Sequence, residues 1–152
     1  MRRFLTLASA FLVSAAVTAT LGSIFSSQFV IAGLQAINVD IPLSTRLSMT
    51  AADLRILTAL LPAVLACFLI AFLVAGLCAA RLGGNRSAWF TLAGATSLVV
   101  ELMIMQSVFG VMPVSGARSM AGLLTQGVAG AVGGYLVAQL TKARTNEEKQ
   151  VA

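Results

Sequence analysis

No histidine occurs anywhere in the 152 residues. That absence excludes haem and metal sites held by imidazole, and acid/base catalysis by it. Charge is scarce as well: 10% of the residues are Asp, Glu, Lys or Arg and 59% are hydrophobic, against about 25% and about 45–50% in soluble domains. So few polar side chains cannot coat a core of this size, whereas a bilayer removes the need for a polar coat around long apolar helices. Acids are fewest, five against ten basic residues for a net charge of +5. The basic residues are scattered at segment ends rather than gathered in a run, so lipid headgroups and topology explain them better than nucleic acid does, and no nucleic-acid partner is expected. Cysteine is limited to Cys67 and Cys78. In one helix these would stand ~16 Å apart along the axis, too far to bridge, and they read as small packing residues. Gly83-Gly84 lacks a following GK[ST], and no serine has the context of a nucleophile elbow, so nucleotide-binding and hydrolase readings are poor.

Four apolar segments are present, each long enough to cross a hydrocarbon core that needs about 20 helical residues. They run approximately over 4–26, 52–80, 88–110 and 120–140. The expected fold is an all-α integral membrane protein, a four-transmembrane-helix bundle with an apolar extracytoplasmic segment between helices one and two. Residues 1–140 form one membrane domain and 141–152 a polar, frayed cytoplasmic tail. Thr50-Ala-Ala-Asp53 has the spacing of a capping box before the second segment, Gly83-Gly84-Asn85 makes a turn, and Ser115 or Ser119 is placed to cap helix four. With the N-terminus in the cytoplasm, Arg2, Arg3, Arg81, Arg86, Lys142, Arg144 and Lys149 lie inside and Arg46, Arg55 and Arg118 outside, which follows the positive-inside bias. Both ends are then cytoplasmic, and the expected location is a bacterial inner membrane. Trp89 and Tyr135 fall toward the cytoplasmic ends of their helices. A secretory signal ending near Val17-Thr-Ala19 is the competing reading of the first segment, weakened by apolarity that continues to Ile37.

The stretch from Gln28 to Met49 is not a polar loop. Val30, Leu34, Ile37 and Ile41 share a helical face that Pro42 ends. Either helix one continues outward to about Ile37, or the chain breaks near Ser26-Ser27 and lays an amphipathic helix over the bundle as a lid or docking element.

Glu101 is the one acid deep within a span, Asp53 standing at the very start of the second. It lies about 13 Å from the outer end of helix three at ~1.5 Å per residue, a depth at which an ionised carboxylate is costly unless it faces the bundle and finds partners. Gly94 and Ser97 share its face. Helix four offers an opposing stripe, Gly122, Gln126, Gly130 and Gly134 at every fourth position with Gly127 and Gly133 beside them, a small-xxx-small pattern that brings backbones together. Gln126, about 10 Å from the outer end of its helix, matches the depth of Glu101, and a hydrogen bond between them is expected. Thr18 and Thr58 fall in the same outer half. Arg55 is near enough to pair with the acid and keep it charged, whereas Gln126 and threonine hydroxyls alone favour its neutral form.

Two weaker signals remain. Met103, Met105, Met112 and Met120 cluster near the outer ends of helices three and four, where packing is favoured over Cu(I) binding because no cysteine or histidine joins them. Arg118 stands where an anionic headgroup would meet the start of helix four. No metal or cofactor is expected. The leading functional expectation is a non-enzymatic accessory or assembly subunit in the bilayer, associating with other membrane subunits or itself through its glycine-rich faces. The alternative is a small oligomeric transporter or channel that uses Glu101 as a proton- or cation-binding site. An enzyme ranks third, since one acid without a second carboxylate or histidine offers little catalytic machinery.

Overall fold

A computed structural model of the chain describes the backbone of residues 2–38, 40–112 and 114–151, and side chains within 5–38, 40–52, 61–112 and 114–142. Every element among them is helical: α1 (Arg2–Gln35), α2 (Leu43–Leu82), α3 (Arg86–Phe109), the short 3-10 helix η1 (Ser115–Arg118) and α4 (Met120–Val151). Four stretches are long and apolar enough to cross a membrane, Leu5–Gln35, Leu61–Leu82, Arg86–Phe109 and Met120–Lys142. These mark the chain as a membrane protein.

The distribution of side chains fits that reading. Leu12, Ile70, Leu73, Val108 and Leu124 point outward, each more than half exposed, while Ser14, Thr18, Ser23, Ser26, Ser27, Glu101 and Gln126 are buried. Polar groups inside and bulky aliphatics outside suit hydrocarbon, where the outer face gains nothing from polarity and the helices gain by packing small residues closely. The apolar core proper is small. It centres on Phe68, Phe72 and Phe90, with the Phe72 and Phe90 rings stacked at 5.6 Å.

Helix boundaries follow local chemistry at some ends and depart from the sequence expectation at others. Asn85 Oδ1 accepts from Ser87 N–H at 3.0 Å and starts α3, after a turn in which Gly83 and Gly84 take φ of 70° and 85° that other residues resist. Ser119 Oγ accepts from Gly122 N–H at 3.0 Å, so Ser119 rather than Ser115 is the cap of α4. The capping box at Thr50 does not form. The helix has already begun at Leu43 behind Pro42, and the Thr50 hydroxyl donates instead to Arg46 O at 3.0 Å within it. Its 40 residues extend about 60 Å at ~1.5 Å each, twice the hydrocarbon thickness of ~30 Å, and the apolar part is the C-terminal half.

Of the two arrangements expected for residues 28–49, the chain takes the continuous one. α1 passes through Ser26-Ser27 without a break, ends at Gln35 and turns through Asn38, whose φ is 59°. Among the described residues no separate helix lies between α1 and α2. Ile31, at 2% exposure, is the buried residue of this stretch, and Ile37 is 67% exposed in the turn. At the other terminus the tail continues α4 as helix to Val151.

Candidate functional site

Glu101 belongs to the inward face of α3, which runs Phe90, Gly94, Leu98, Glu101 and Leu102. Spacings of four, four and three keep these residues on one side of a 3.6-residue helix. What brings that side so close to α4 is the absence of side chains at the crossing. A Cβ on Gly94 would fall on the Gly130 carbonyl oxygen, a Cβ on Gly130 on that of Gly94, and one on Gly134 on that of Phe90. α1 meets α4 in the same way, since a Cβ on Gly133 would strike Thr18 Oγ1 and lie 3.1 Å from Ser14 Oγ. The Ser14 hydroxyl donates to Gly133 O at 2.5 Å. At the far end Gly116 of η1 rests on the backbone of Ser26 and its N–H donates to Ser26 Oγ at 3.1 Å; a Cβ on Gly122 would collide with Gly116 O.

These contacts enclose a cavity of about 30 Å³. Thr18, Ala19 and Gly22 line it from α1, Val64 from α2, Leu98, Glu101, Leu102 and Met105 from α3, and Gln126 from α4, while Val114 with Met105 closes it toward η1. Glu101 and Gln126 are each 4% exposed and Thr18 1%. The Gln126 amide does not reach for the acid. Its Nε2 donates to Gly22 O at 2.9 Å, tying α4 to α1, and a Cβ on Gly22 would lie only 2.7 Å from Gln126 Oε1. Glu101 Oε2 and Thr18 Oγ1 have no hydrogen-bond partner. The expected direct bond between Glu101 and Gln126 is therefore replaced by a shared cavity with room for one water, for which ~30 Å³ and two to four polar neighbours suffice.

The other residues singled out from the sequence fall as follows. Ser97 is half-buried and donates to Gly94 O of its own helix at 3.0 Å, outside the cavity. The side chains of Arg55 and Thr58 lie outside the described residues. Gly127 is the least constrained of the helix-four glycines at this contact, with Val99 Cγ2 3.2 Å from a Cβ there. Arg118 is exposed at the end of η1, two residues before α4 begins. The methionines diverge: Met105 lines the cavity, whereas Met103 and Met120 are 53% and 73% exposed. No cluster of three His, Cys, Asp or Glu able to hold a metal occurs among the described residues.

On the α1 side of the site the sequence reading picked out Thr18, which lines the cavity, but passed over the stripe to which it belongs. Ser14, Thr18, Gly22 and Ser26 recur at every fourth position, the same small-residue signature as in α4, and all four are buried. The hydroxyls conceal the signal when only glycine and alanine are counted as small. Comparison with protein-family models, with curated proteins and with solved structures finds no match.

Proposed function

We propose that the chain is a four-span protein of a bacterial inner membrane, with both ends cytoplasmic, and that it exchanges a proton at Glu101 as a small transporter or channel. One observation carries this reading: a buried carboxyl oxygen and a buried hydroxyl face the same cavity, neither with a partner. In hydrocarbon an unsatisfied polar group costs several kcal/mol at the order-of-magnitude level, and such a group is retained where it has a ligand to hold. A purely structural tie is the weaker account. Gln126 to Gly22 and Ser14 to Gly133 already join α1 to α4, and the glycine contacts already join α3 to α4. Glu101 Oε2 adds no bond to either pair. No other ionisable side chain among the described residues lines the cavity, so a single proton, passed to a water held by Thr18 and Gln126, is the ligand best matched to it. The basic residues Arg81, Arg86 and Lys142 at the end that carries the chain termini support the orientation.

The test is flux. Reconstituted into liposomes with a pH-sensitive dye inside and an imposed gradient, the protein should carry protons, and Glu101→Gln should reduce the rate to that of empty liposomes while leaving the helical circular dichroism intact. Equal flux from the two proteins would refute the reading, and a rate that follows a monovalent cation instead of pH would replace the proton by that cation.

A second reading, the accessory subunit, is supported by one feature. The glycine faces expected to bind other chains are spent within the bundle, except around Gly127. There α3 and α4 leave a lateral trough of about 380 Å³ lined by Ala95, Val99, Gly127 and Ala131 among others, wide enough for side chains of a second apolar helix. Copurification of a stoichiometric partner that is lost in Gly127→Leu, with no flux in either protein, would favour this reading.

A further inference from the structure

At the opposite end of the bundle from η1, all four helices border an apolar groove of about 470 Å³. Leu7 of α1 and Leu69 and Leu73 of α2 form its exposed rim, and Phe72, Phe90 and Val137, each below 10% exposure, form its back. The volume lies within the few hundred to about 1,000 Å³ of small-molecule sites. The rim is aliphatic, so the groove is entered from hydrocarbon rather than from water.

One polar group of consequence stands in it. Arg86, the first residue of α3, holds its guanidinium 4.7 Å from the centroid of the Phe90 ring. Its Nη1 donates to Ala138 O at 3.3 Å and its Nη2 to Thr141 Oγ1 at 2.8 Å. The cation is thus fixed in place by a ring, a carbonyl and a hydroxyl, with no carboxylate among the described residues that line the groove to neutralise it. A guanidinium has five N–H donors, and these two bonds leave donors over. Exposed Arg81 and Lys142 add positive charge at the same end.

An apolar slot open to lipid, with a fixed and uncompensated guanidinium where helix meets interface, is complementary to an anionic amphiphile. We infer that the groove binds one anionic phospholipid of the leaflet on the side of the chain termini, an acyl chain against Phe72, Phe90 and Val137 and the phosphate on Arg86. Arginine suits the phosphate because its planar fork meets two oxygens at once, and basic pockets between helices at the interface favour such headgroups.

The experiment is native mass spectrometry of the full chain in a neutral detergent with phosphatidylglycerol and phosphatidylcholine of identical chains. Phosphatidylglycerol should be retained at one per chain with a preference of about tenfold or more, the factor that one charge-assisted contact supplies. Arg86→Gln should reduce that preference to less than about twofold, with Arg86→Lys between the two. Ala8→Phe, which fills the groove from α1 and leaves Arg86 in place, should remove the tightly held lipid altogether and keeps the inference testable should Arg86→Gln fail to fold. Equal retention of the two lipids by the unaltered protein, or an undiminished preference in Ala8→Phe, would overturn it. Glu101→Gln should leave the preference unchanged, which separates this site from the proton site.

Discussion

Replacing Gly94 by alanine inserts one methyl group at the point where α3 and α4 touch through their backbones. The new Cβ would sit on the Gly130 carbonyl oxygen, 3.1 Å from Gly130 C and 3.0 Å from Gly134 N. Ordinary contact begins near 3.4 Å, so Gly134 N alone must recede by 3.4 − 3.0 = 0.4 Å, and the carbonyl oxygen by more. These are backbone atoms, and no side-chain rotation relieves them. Overpacking of this kind costs about 1–3 kcal/mol, against which alanine recovers up to ~1 kcal/mol of helix propensity over glycine. Gly76→Ala supplies the reference for that gain, because a Cβ there meets nothing within 4 Å. Gly127→Ala should fall between, since the nearest obstacle is the Val99 Cγ2 methyl at 3.2 Å, which can shift. Denaturant titration in detergent should rank the three in the order Gly76→Ala, Gly127→Ala, Gly94→Ala from most to least stable, with about 1–3 kcal/mol separating the first from the last. Gly130→Ala adds a second test. Once one methyl group has parted the helices, the other costs less, so the double variant should be more stable than the summed losses predict by about 0.5 kcal/mol or more. Stability of Gly94→Ala within about 0.5 kcal/mol of Gly76→Ala, the scatter expected for surface substitutions, would refute the close crossing.

Three further outcomes follow from the same geometry. Glu101→Met removes an unpartnered carboxyl and keeps a chain of similar length, so thermal unfolding should show stability equal to or above the unaltered protein by up to about 1–3 kcal/mol; a marked loss would mean that the carboxyl is a structural tie. Ser14→Ala deletes the hydroxyl that reaches Gly133 O and should cost about 0.5–1.5 kcal/mol in the same assay, whereas Thr20→Ala, whose hydroxyl bonds only Ala16 O of its own helix, should cost less. Ser119→Ala should lose about 1 kcal/mol as a helix cap, while Thr50→Ala, within a helix rather than at its start, should stay within about 0.5 kcal/mol of neutral; the reverse order would restore the capping box before residue 52.

The four helices were legible because twenty-odd consecutive apolar residues have few other solutions, and the depth of Glu101 was legible because helix rise is constant. Rotation and competition were not. Equal depth puts Glu101 and Gln126 at one level, yet it does not say that the Gln126 amide meets the bare carbonyl of Gly22, which a side chain at position 22 would have shielded. The start of α2 was misplaced because Thr-x-x-Asp also occurs inside helices, where a threonine hydroxyl bonds back to the carbonyl four residues earlier, as Thr50 does to Arg46. Residues 28–37 carry a helical period whether the helix is continuous or broken, and periodicity alone does not distinguish the two. The serine and threonine stripe of α1 shows that in a membrane helix small size, more than apolarity, identifies the packed face.

The proposed function requires Glu101 to take up and release a proton inside the folded bundle. Infrared difference spectroscopy of the reconstituted protein across a pH jump observes that event directly, as a carboxylic acid carbonyl band that gains intensity while carboxylate bands decline. A band in the region of a desolvated carboxylic acid that is absent from Glu101→Gln is the predicted result. A difference spectrum identical in the two proteins over the whole range in which the bundle stays folded would contradict the account.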